Sequence, residues 1–452
     1  MQDLELIEKA KALISERRSS QFRELAEELN PCDLADVLQE LGKEDMLLAF
    51  RLLPKDTAAE TFVELDRSER EQLFSNISDE EVKIVFDRLF LDDAVDVIEE
   101  MPANAVYRIL RNTSPERRGE INRLLNYPAE SAGSIMTTEY VSLKEGMTVE
   151  EAFEKIKRVG TAKETIYTCY ITDPARRLLG IVTVKDMLLA DSTASLDTLC
   201  ERNIISAHTH EDREAVAGKL RRYDLLALPV VDDEGRLVGI VTVDDAMAVL
   251  DREAEEDFAK MAAMEPIEES YFNTSAFTHF KKRIVWLLVM MLSATVTGVF
   301  ITKYEEAFAA LPILVAFIPM LMDTGGNCGS QSSTMIIRGI ATNEIKTKDI
   351  LRAMRKELCI GLMSGCVLAI VTALRVFIMY NSMDQKLALI AVLAITLMVV
   401  TSAAKLLGCV LPILAKKLKL DPAIMAAPIL TTIIDSVAVL TYFNIAKLLM
   451  NI

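Results

Sequence analysis

Three histidines in 452 residues, and seven cysteines with no CxxC or other paired spacing, leave little from which to build a soft-metal site or a disulfide framework. The cysteines (32, 169, 200, 328, 359, 366 and 409) read as reduced thiols in a cytosolic or membrane setting. His208 and His210 read as loop residues and His279 as an interfacial one, so none is taken as a ligand. A basic surplus is missing too. Lys and Arg number 50 against 67 Asp and Glu, a net of −17, which argues against nucleic acid as a partner because phosphates need cations. The opening MQDLELIEKA has no basic stretch followed by an apolar run, so no cleaved signal peptide is expected.

What is present divides sharply. Residues 1–280 carry 33 Lys and Arg against 58 Asp and Glu, whereas residues 281–452 carry 17 against 9, so a soluble half of −25 precedes a half of +8. The length implies about three units. The acidic half suits cation binding. The second half holds apolar stretches at 284–301, about 309–337, about 358–380, 387–414 and 423–449, each fit to cross a ~30 Å hydrocarbon core. Basic residues 281–283, then Lys346, Lys348, Arg352, Arg355 and Lys356, then Lys416, Lys417 and Lys419 fall on one side of five such spans. The positive-inside rule then gives a multi-pass protein of the cell (inner or plasma) membrane, in contact with lipid, its N-terminus cytoplasmic and its C-terminus outside.

Along the soluble half the texture changes twice. Residues 1–128 have apolar positions at helical spacing, with Asp33, Asp56 and Asp79 at a 23-residue interval, each opening a helix as a candidate N-cap; an all-α helical-repeat domain is expected. Residues 129–253 repeat a β-α-β-β-α order, with Gly180-Ile-Val-Thr183-Val-Lys-Asp186 matched by Gly239-Ile-Val-Thr242-Val-Asp-Asp245 at an offset of 59. This looks like a tandem pair of α/β CBS domains, a fold that often carries an adenosine phosphate. Thr183 and Thr242 equally suit helix caps. Residues 254–280 form an acidic connecting (plug) helix and linker, readable as a solvated face or as a regulatory element between sensor and membrane. Residues 281–452 form the α-helical transmembrane domain.

The fifth stretch organises the rest. It places one carboxylate, Asp435, at membrane depth, where a charge costs a few kcal/mol and requires a partner, water or a function. Pro428, seven residues earlier, would leave a carbonyl unpaired near Thr431 and Thr432. Carboxylate, carbonyls and hydroxyls at one depth suit a hard cation. The alternative is a kinked helix whose Asp435 pairs with Arg375 or Lys405. In the second stretch, Pro319-Met-Leu-Met-Asp323-Thr-Gly-Gly-Asn327-Cys-Gly-Ser-Gln331-Ser-Ser-Thr334 is small and polar at depth. It fits a wet pore wall, or close helix packing through the Gly325/Gly329 spacing.

The whole order, together with FIPMLMDTGGNCGSQSSTMIIRGIAT in the second span and DPAIMAAPILTTIIDS in the fifth, resembles the MgtE family of magnesium channels and transporters. The resemblance implies a homodimer with its pore on the two-fold axis. The pore carboxylate falls on Asp435 through the P-x6-D spacing, with the backbone near Thr431 and with Gly325 and Asn327 completing the path. It implies Mg²⁺ uptake, closed by Mg²⁺ bound to cytosolic sensor acids: Asp224, Asp245, Glu253, Glu256 and Asp257, with Asp92, Asp93, Asp96 and Glu60 on the helical domain. ATP binding is implied at Thr183 and Asp186, or at Thr242 and Asp245. Ala248 stands where an acid is expected in the family. Rival readings are other divalent cargo (Co²⁺, Ni²⁺, Mn²⁺), a CBS-regulated receptor without transport, and an aspartic-protease-like dyad of Asp323-Thr324-Gly325 with Asp435. The last lacks a matching Gly after Asp435, so no enzyme is expected; the absence of His or Cys beside Asp435 favours a hard ion.

Overall fold

The computed structural model describes residues 2–267, 271–272, 274–304, 311–342, 344–381, 383, 385–425 and 428–450. Parts of the expected linker (268–270 and 273) and of the second and fifth stretches (309–310 and 426–427) lie outside the described residues. The chain forms two compact units, one built on Met1–Glu253 and one on Ala254–Glu268 with Thr274–Ile452.

The first unit begins with short helices stacked in register. Each turns an apolar stripe inward: Leu34, Val37 and Leu38; Ala58, Ala59 and Phe62; Val82, Val85 and Phe86. Phe50, Phe62 and Phe86 form an aromatic ladder with centroid spacings of 6.3 and 6.1 Å. The repeat is real, but the aspartates that revealed it do not cap helices. Asn30, Pro54 and Ser78 hold the N-cap positions, and only Ser78 bonds its helix start, in a capping box with Glu81. Asp33, Asp56 and Asp79 sit in the first turn, where the helix dipole favours an acid. Asp56 and Asp79 then take arginines from the following repeat, Arg88 at 2.7 Å and Arg108 at 2.6 Å.

Two three-stranded sheets follow, Ser142–Lys144, Thr168–Thr172 and Leu178–Thr183, then Ala207–His208, Ala227–Val231 and Leu237–Thr242. In each, the first strand pairs parallel and the third antiparallel with the middle one. The repeated glycines have a steric reason. A Cβ on Gly180 would lie 1.9 Å from Cys200 Sγ, and one on Gly239 would lie 2.8 Å from the Thr137 carbonyl oxygen. The connecting helix is not a separate element: Val243–Met261 runs on directly from the last strand.

In the second unit the long helices are Ala276–Thr302, Ile318–Ala341, Ile350–Met379, Lys386–Lys417 and Pro428–Met450, here numbered first to fifth. Among the described residues, four segments are long and apolar enough to cross a membrane: Ala276–Thr302, Thr347–Met379, Lys386–Lys417 and Ile429–Met450. The second helix is not among them, because its Gly, Ser, Asn and Gln lower its hydropathy. Two boundaries differ from expectation. The first helix starts ahead of Lys281, and the fifth begins at Pro428 after a 3₁₀ turn over Ala423–Met425.

Helix packing runs through glycine. A Cβ on Gly361 or Gly365 of the third helix would meet backbone of the fourth, Ser402 Cα at 2.8 Å and Met398 Cα at 2.9 Å. Gly325 and Gly329 receive Ile434 of the fifth helix, and Gly408 of the fourth faces the Gly329 carbonyl, 2.3 Å from where its Cβ would stand. Close approach of this kind replaces the hydrophobic effect that lipid does not supply. Gly408→Ala must push two backbones apart, and lowers the melting temperature of the detergent-solubilised protein by several degrees, about 1–3 kcal/mol of overpacking. Gly298, whose Cβ would meet nothing within 4 Å, is the control that tolerates alanine.

Candidate functional site

Asp435 lies seven residues, two helical turns or about 10 Å, from the start of the fifth helix. Its neighbours in sequence are committed elsewhere. Leu430 and Ile434 are buried against the second-helix glycines. Thr432 donates to Ser293 Oγ at 2.9 Å and Ser436 lies 3.4 Å from Thr297 Oγ1, both facing the first helix. At roughly 100° per residue, Thr431 and Asp435 share the face between those two contacts. Asp435 is half-buried. Neither expected cation reaches it: Arg375 lies on Met320 Sδ at 3.8 Å and Lys405 donates to Gln331 Oε1 at 3.2 Å.

The second helix has two faces. Gly325, Gly326, Cys328, Gly329, Ser332 and Ser333 are buried, whereas Asp323, Asn327, Gln331, Thr334 and Arg338 are exposed at three- and four-residue spacing. A close-packed face of glycine and serine and an exposed polar face therefore lie on opposite sides of this helix. Gly325 belongs to the packing face. Asn327 belongs to the polar stripe, which lines a cavity of about 790 Å³ together with Gln331, Thr334, Glu357 and Lys405. Ser332 ties that wall together, donating to Glu357 Oε2 at 2.6 Å and to the Lys405 carbonyl at 2.9 Å.

A second site forms within the first unit. One carboxylate oxygen each from Asp92, Glu139 and Glu164 lie within 4.8 Å of one another. Asp92 and Asp93 open the helix Leu91–Glu100, while Glu139 and Glu164 come from loops of the first CBS repeat. The backbone joins them: Glu164 N donates to the Glu139 carbonyl at 2.9 Å, and Glu139 Oε2 accepts from Leu91 N at 3.0 Å. Burial raises the whole group; neighbouring acids add to it at Asp92, Asp93, Glu164 and Asp245, whereas Leu91 N and Arg117 oppose it at Glu139. Glu164 is pushed up to about 8 by burial, Asp93, Asp244 and Asp245; Asp245 to about 7 by burial, Asp244 and Asp96 against its bond from Thr242. Asp93 is pushed up to about 6 by burial, Asp96 and Glu64, and Asp92 is raised well above the usual carboxylate range by burial and then Asp245. Asp96 is raised by burial despite Arg252 at 3.9 Å.

The remaining expected sensor residues fall elsewhere. Asp224 is the exposed, left-handed C-cap of Arg213–Tyr223, with φ 51°. Glu60 is exposed, and from its helix it is Glu64 whose charge acts on Asp93. Glu253 takes Arg213 at 3.1 Å. Glu256 is bound by Lys260, whose ammonium also reaches Asp421 at 2.6 Å. Asp257 is half-buried on the same helix. Sequence reasoning missed Glu139 and Glu164, because single glutamates in loops carry no spacing signal.

At the nucleotide candidates Thr183 caps the helix Val184–Leu189, and each threonine donates to the acid three residues on. Thr183 accepts from Asp186 N at 3.1 Å and donates to its carboxylate at 2.5 Å; Thr242 donates to Asp245 at 2.6 Å. The two differ in surroundings, since Thr183 and Asp186 lie near the surface and Asp245 faces the acid group.

Three family profiles cover most of the chain: MgtE, described as a divalent cation transporter, at residues 318–445; the MgtE intracellular N domain at 7–130; and the CBS domain at 132–192 and 196–252. The chain is 34% identical to the magnesium transporter MgtE of Thermus thermophilus over 95% of each chain. It is 30% identical to that of Bacillus subtilis over 98% of this chain and 97% of the other. A crystal structure of the soluble part of a magnesium transporter superposes with a TM-score of 0.53 at 30% identity, covering 56% of this chain and 99% of that one. The part of the chain that this soluble structure does not cover is spanned by the similarity to the two transporters. With helical N-terminal domain, CBS pair and a membrane unit of long apolar helices in that order, the chain is a multi-pass membrane protein that belongs to the MgtE family of divalent cation transporters.

Proposed function

We propose that this chain conducts Mg²⁺ into the cell through a pore formed by two copies and is closed by Mg²⁺ at its cytosolic acids. The observation that carries this reading is Asp435, a half-buried carboxylate at membrane depth that no Arg or Lys neutralises among the described residues. One such acid selects weakly; a second copy, brought in by a two-fold axis along the exposed polar stripe of the second helix, makes a dicarboxylate site for a divalent ion. Mg²⁺ gives up water reluctantly, so Asp435, Thr431 and Asn327 touch it through its hydration shell. No fuel is needed, because two charges moving inward gain about 4.6 kcal/mol per 100 mV. Short basic connections put the acidic unit on the cytoplasmic side, with the C-terminus outside.

Asp92, Glu139 and Glu164, backed by Asp93, Asp96 and Asp245, fit a hard, hydrated divalent ion: all donors are carboxylate oxygens, and Glu164 Oε2 is buried with no hydrogen-bond partner among the described residues. Such an ion supplies the positive charge that the group lacks. Without it the group takes up protons and the carboxylates that stay ionised repel, which loosens the helical domain from the first CBS repeat. With it they are held together, and each binding event adds RT ln(1 + [L]/Kd) to the closed state. The connecting helix carries that change toward the membrane. An adenine nucleotide fits Thr183 and Asp186 better than Thr242 and Asp245, where the surrounding acids repel phosphate; Thr183→Ala then weakens ATP binding at least about tenfold by calorimetry, and Thr242→Ala much less.

The test is Mg²⁺ uptake into liposomes holding the full chain, with Mg²⁺ on the cytosolic-domain side stepped from micromolar to ten millimolar. Flux that falls as Mg²⁺ rises supports pore and sensor together. Flux indifferent to that step retains the pore and sinks the sensor. No Mg²⁺ flux, with Co²⁺, Ni²⁺ or Mn²⁺ flux in its place, changes the cargo; no flux of any ion returns the chain to a receptor role.

A further inference from the structure

The foot of the fifth helix is held by a cation that belongs to the chain itself. Lys260, in the last turn of Val243–Met261, places Nζ 2.6 Å from Asp421 Oδ2 and against Glu256 Oε1 one turn back. Lys260 and Asp421 are each about three-quarters shielded from solvent, with side-chain exposures of 25% and 27%. Asp421 is also structural: its other oxygen accepts from Ala423 N at 2.8 Å, setting the 3₁₀ turn Ala423–Met425 that leads into the helix bearing Asp435. Beyond the connecting helix the chain is pinned a second time, by Lys282 Nζ on the Pro266 carbonyl at 2.5 Å and by Glu265 N on the Lys282 carbonyl at 3.2 Å. Glu256, expected to await Mg²⁺, therefore already has a cation.

We propose that Lys260 is a tethered cation that clamps the end of the connecting helix to the base of the fifth helix, a positioning residue that favours the closed pore before any ion reaches the sensor. The inference rests on the gated-pore reading above. An ammonium on the same chain is always at hand, so its contribution does not vary with cytosolic Mg²⁺, while the sensor's does. The two add, and the clamp lowers the Mg²⁺ the sensor needs to finish closure. A partly buried ion pair is worth enough to move that midpoint severalfold, but not enough to hold the pore shut unaided.

The experiment is the same liposome assay on the full chain, comparing wild type with Lys260→Gln, Asp421→Asn, the double variant and Lys260→Arg. Asparagine keeps the oxygen that accepts from Ala423 N, so the turn survives. The expected result is a half-closing Mg²⁺ concentration about 3- to 10-fold higher in each single variant, with flux at micromolar Mg²⁺ within about twofold of wild type. The double variant shifts no further than the larger single, and Lys260→Arg stays within about twofold of wild type. Unchanged midpoints, additive shifts, or flux lost at all Mg²⁺ concentrations overturn the clamp. So does a lower midpoint, which would mean that the lysine competes with Mg²⁺ for Glu256 and Asp421. If wild type carries no Mg²⁺, the functional reading fails, and amide hydrogen exchange over residues 254–266 decides the clamp: several times faster in Lys260→Gln supports it, unchanged exchange overturns it.

Discussion

Asp435→Asn abolishes Mg²⁺ flux, by at least about a hundredfold, and leaves the protein as well folded as before. Asparagine has the same shape and no charge. Across a bridging water, at about 5 Å and an effective dielectric constant near 20, one carboxylate attracts a divalent ion by about 7 kcal/mol before screening. Even a quarter of that, felt at each of two copies, exceeds the 2.7 kcal/mol that a hundredfold change represents. Stability should hold because Asp435 makes no ion pair or hydrogen bond among the described residues, and because a neutral side chain is easier to keep at membrane depth. The check is ion uptake beside the melting temperature of the same preparation. Retained flux would move the selectivity step to the polar stripe of the second helix; lost flux with lost folding would return Asp435 to a structural role.

Asp92→Asn with Glu164→Gln takes away the Mg²⁺ response: flux changes by less than about twofold between micromolar and ten millimolar Mg²⁺, a step over which wild-type flux falls at least about tenfold. Carboxylate oxygens within 4.8 Å repel by about 3 kcal/mol per pair at an effective dielectric constant of about 20, less where solvent screens them. Removing two charges removes both the repulsion and the ligand set. The same acids give a pH signature. Glu164 near 8, Asp245 near 7 and Asp93 near 6 all stand above their unfolded values, so between about pH 4 and pH 8 the native state binds more protons than the unfolded one. Stability of the metal-free protein is therefore present in full below the unfolded values and is lost as pH rises through the folded ones. Its melting temperature should fall from pH 6 to pH 8, Mg²⁺ should restore it at pH 8 with release of protons, and the double variant should flatten both effects. Thermal unfolding with and without Mg²⁺ checks this; a melting temperature that rises with pH, or an unaltered response in the variant, would remove Asp92 and Glu164 from the sensor.

Much of the architecture was legible without coordinates. The 23-residue interval in the helical domain, the GIVTV pair offset by 59 and the apolar stretches each follow from periodicity, and periodicity is local. Charge partition was equally readable, since it is additive along the chain. What failed was the assignment of jobs to single residues. Asp33, Asp56 and Asp79 marked the repeat correctly but serve first turns and interhelical arginines, because an N-cap is defined by backbone angles that spacing does not encode. Ahead of Pro428, the first described residue of the fifth helix, the backbone makes a 3₁₀ turn over Ala423–Met425, which residue type alone does not specify.

The amino-acid sequence by itself determined the order of domains, the membrane character of the second unit and the carboxylate within the fifth apolar stretch, because hydropathy and charge are properties of residue type. Only the tertiary structure decided which acids act together. Glu139 and Glu164 join Asp92 across 47 and 72 positions of chain, while Glu253 and Glu256, side by side with the other candidates in sequence, are drawn off by Arg213 and Lys260. Electrostatic energy depends on distance in space, and a few ångströms separate a metal ligand from half of a salt bridge.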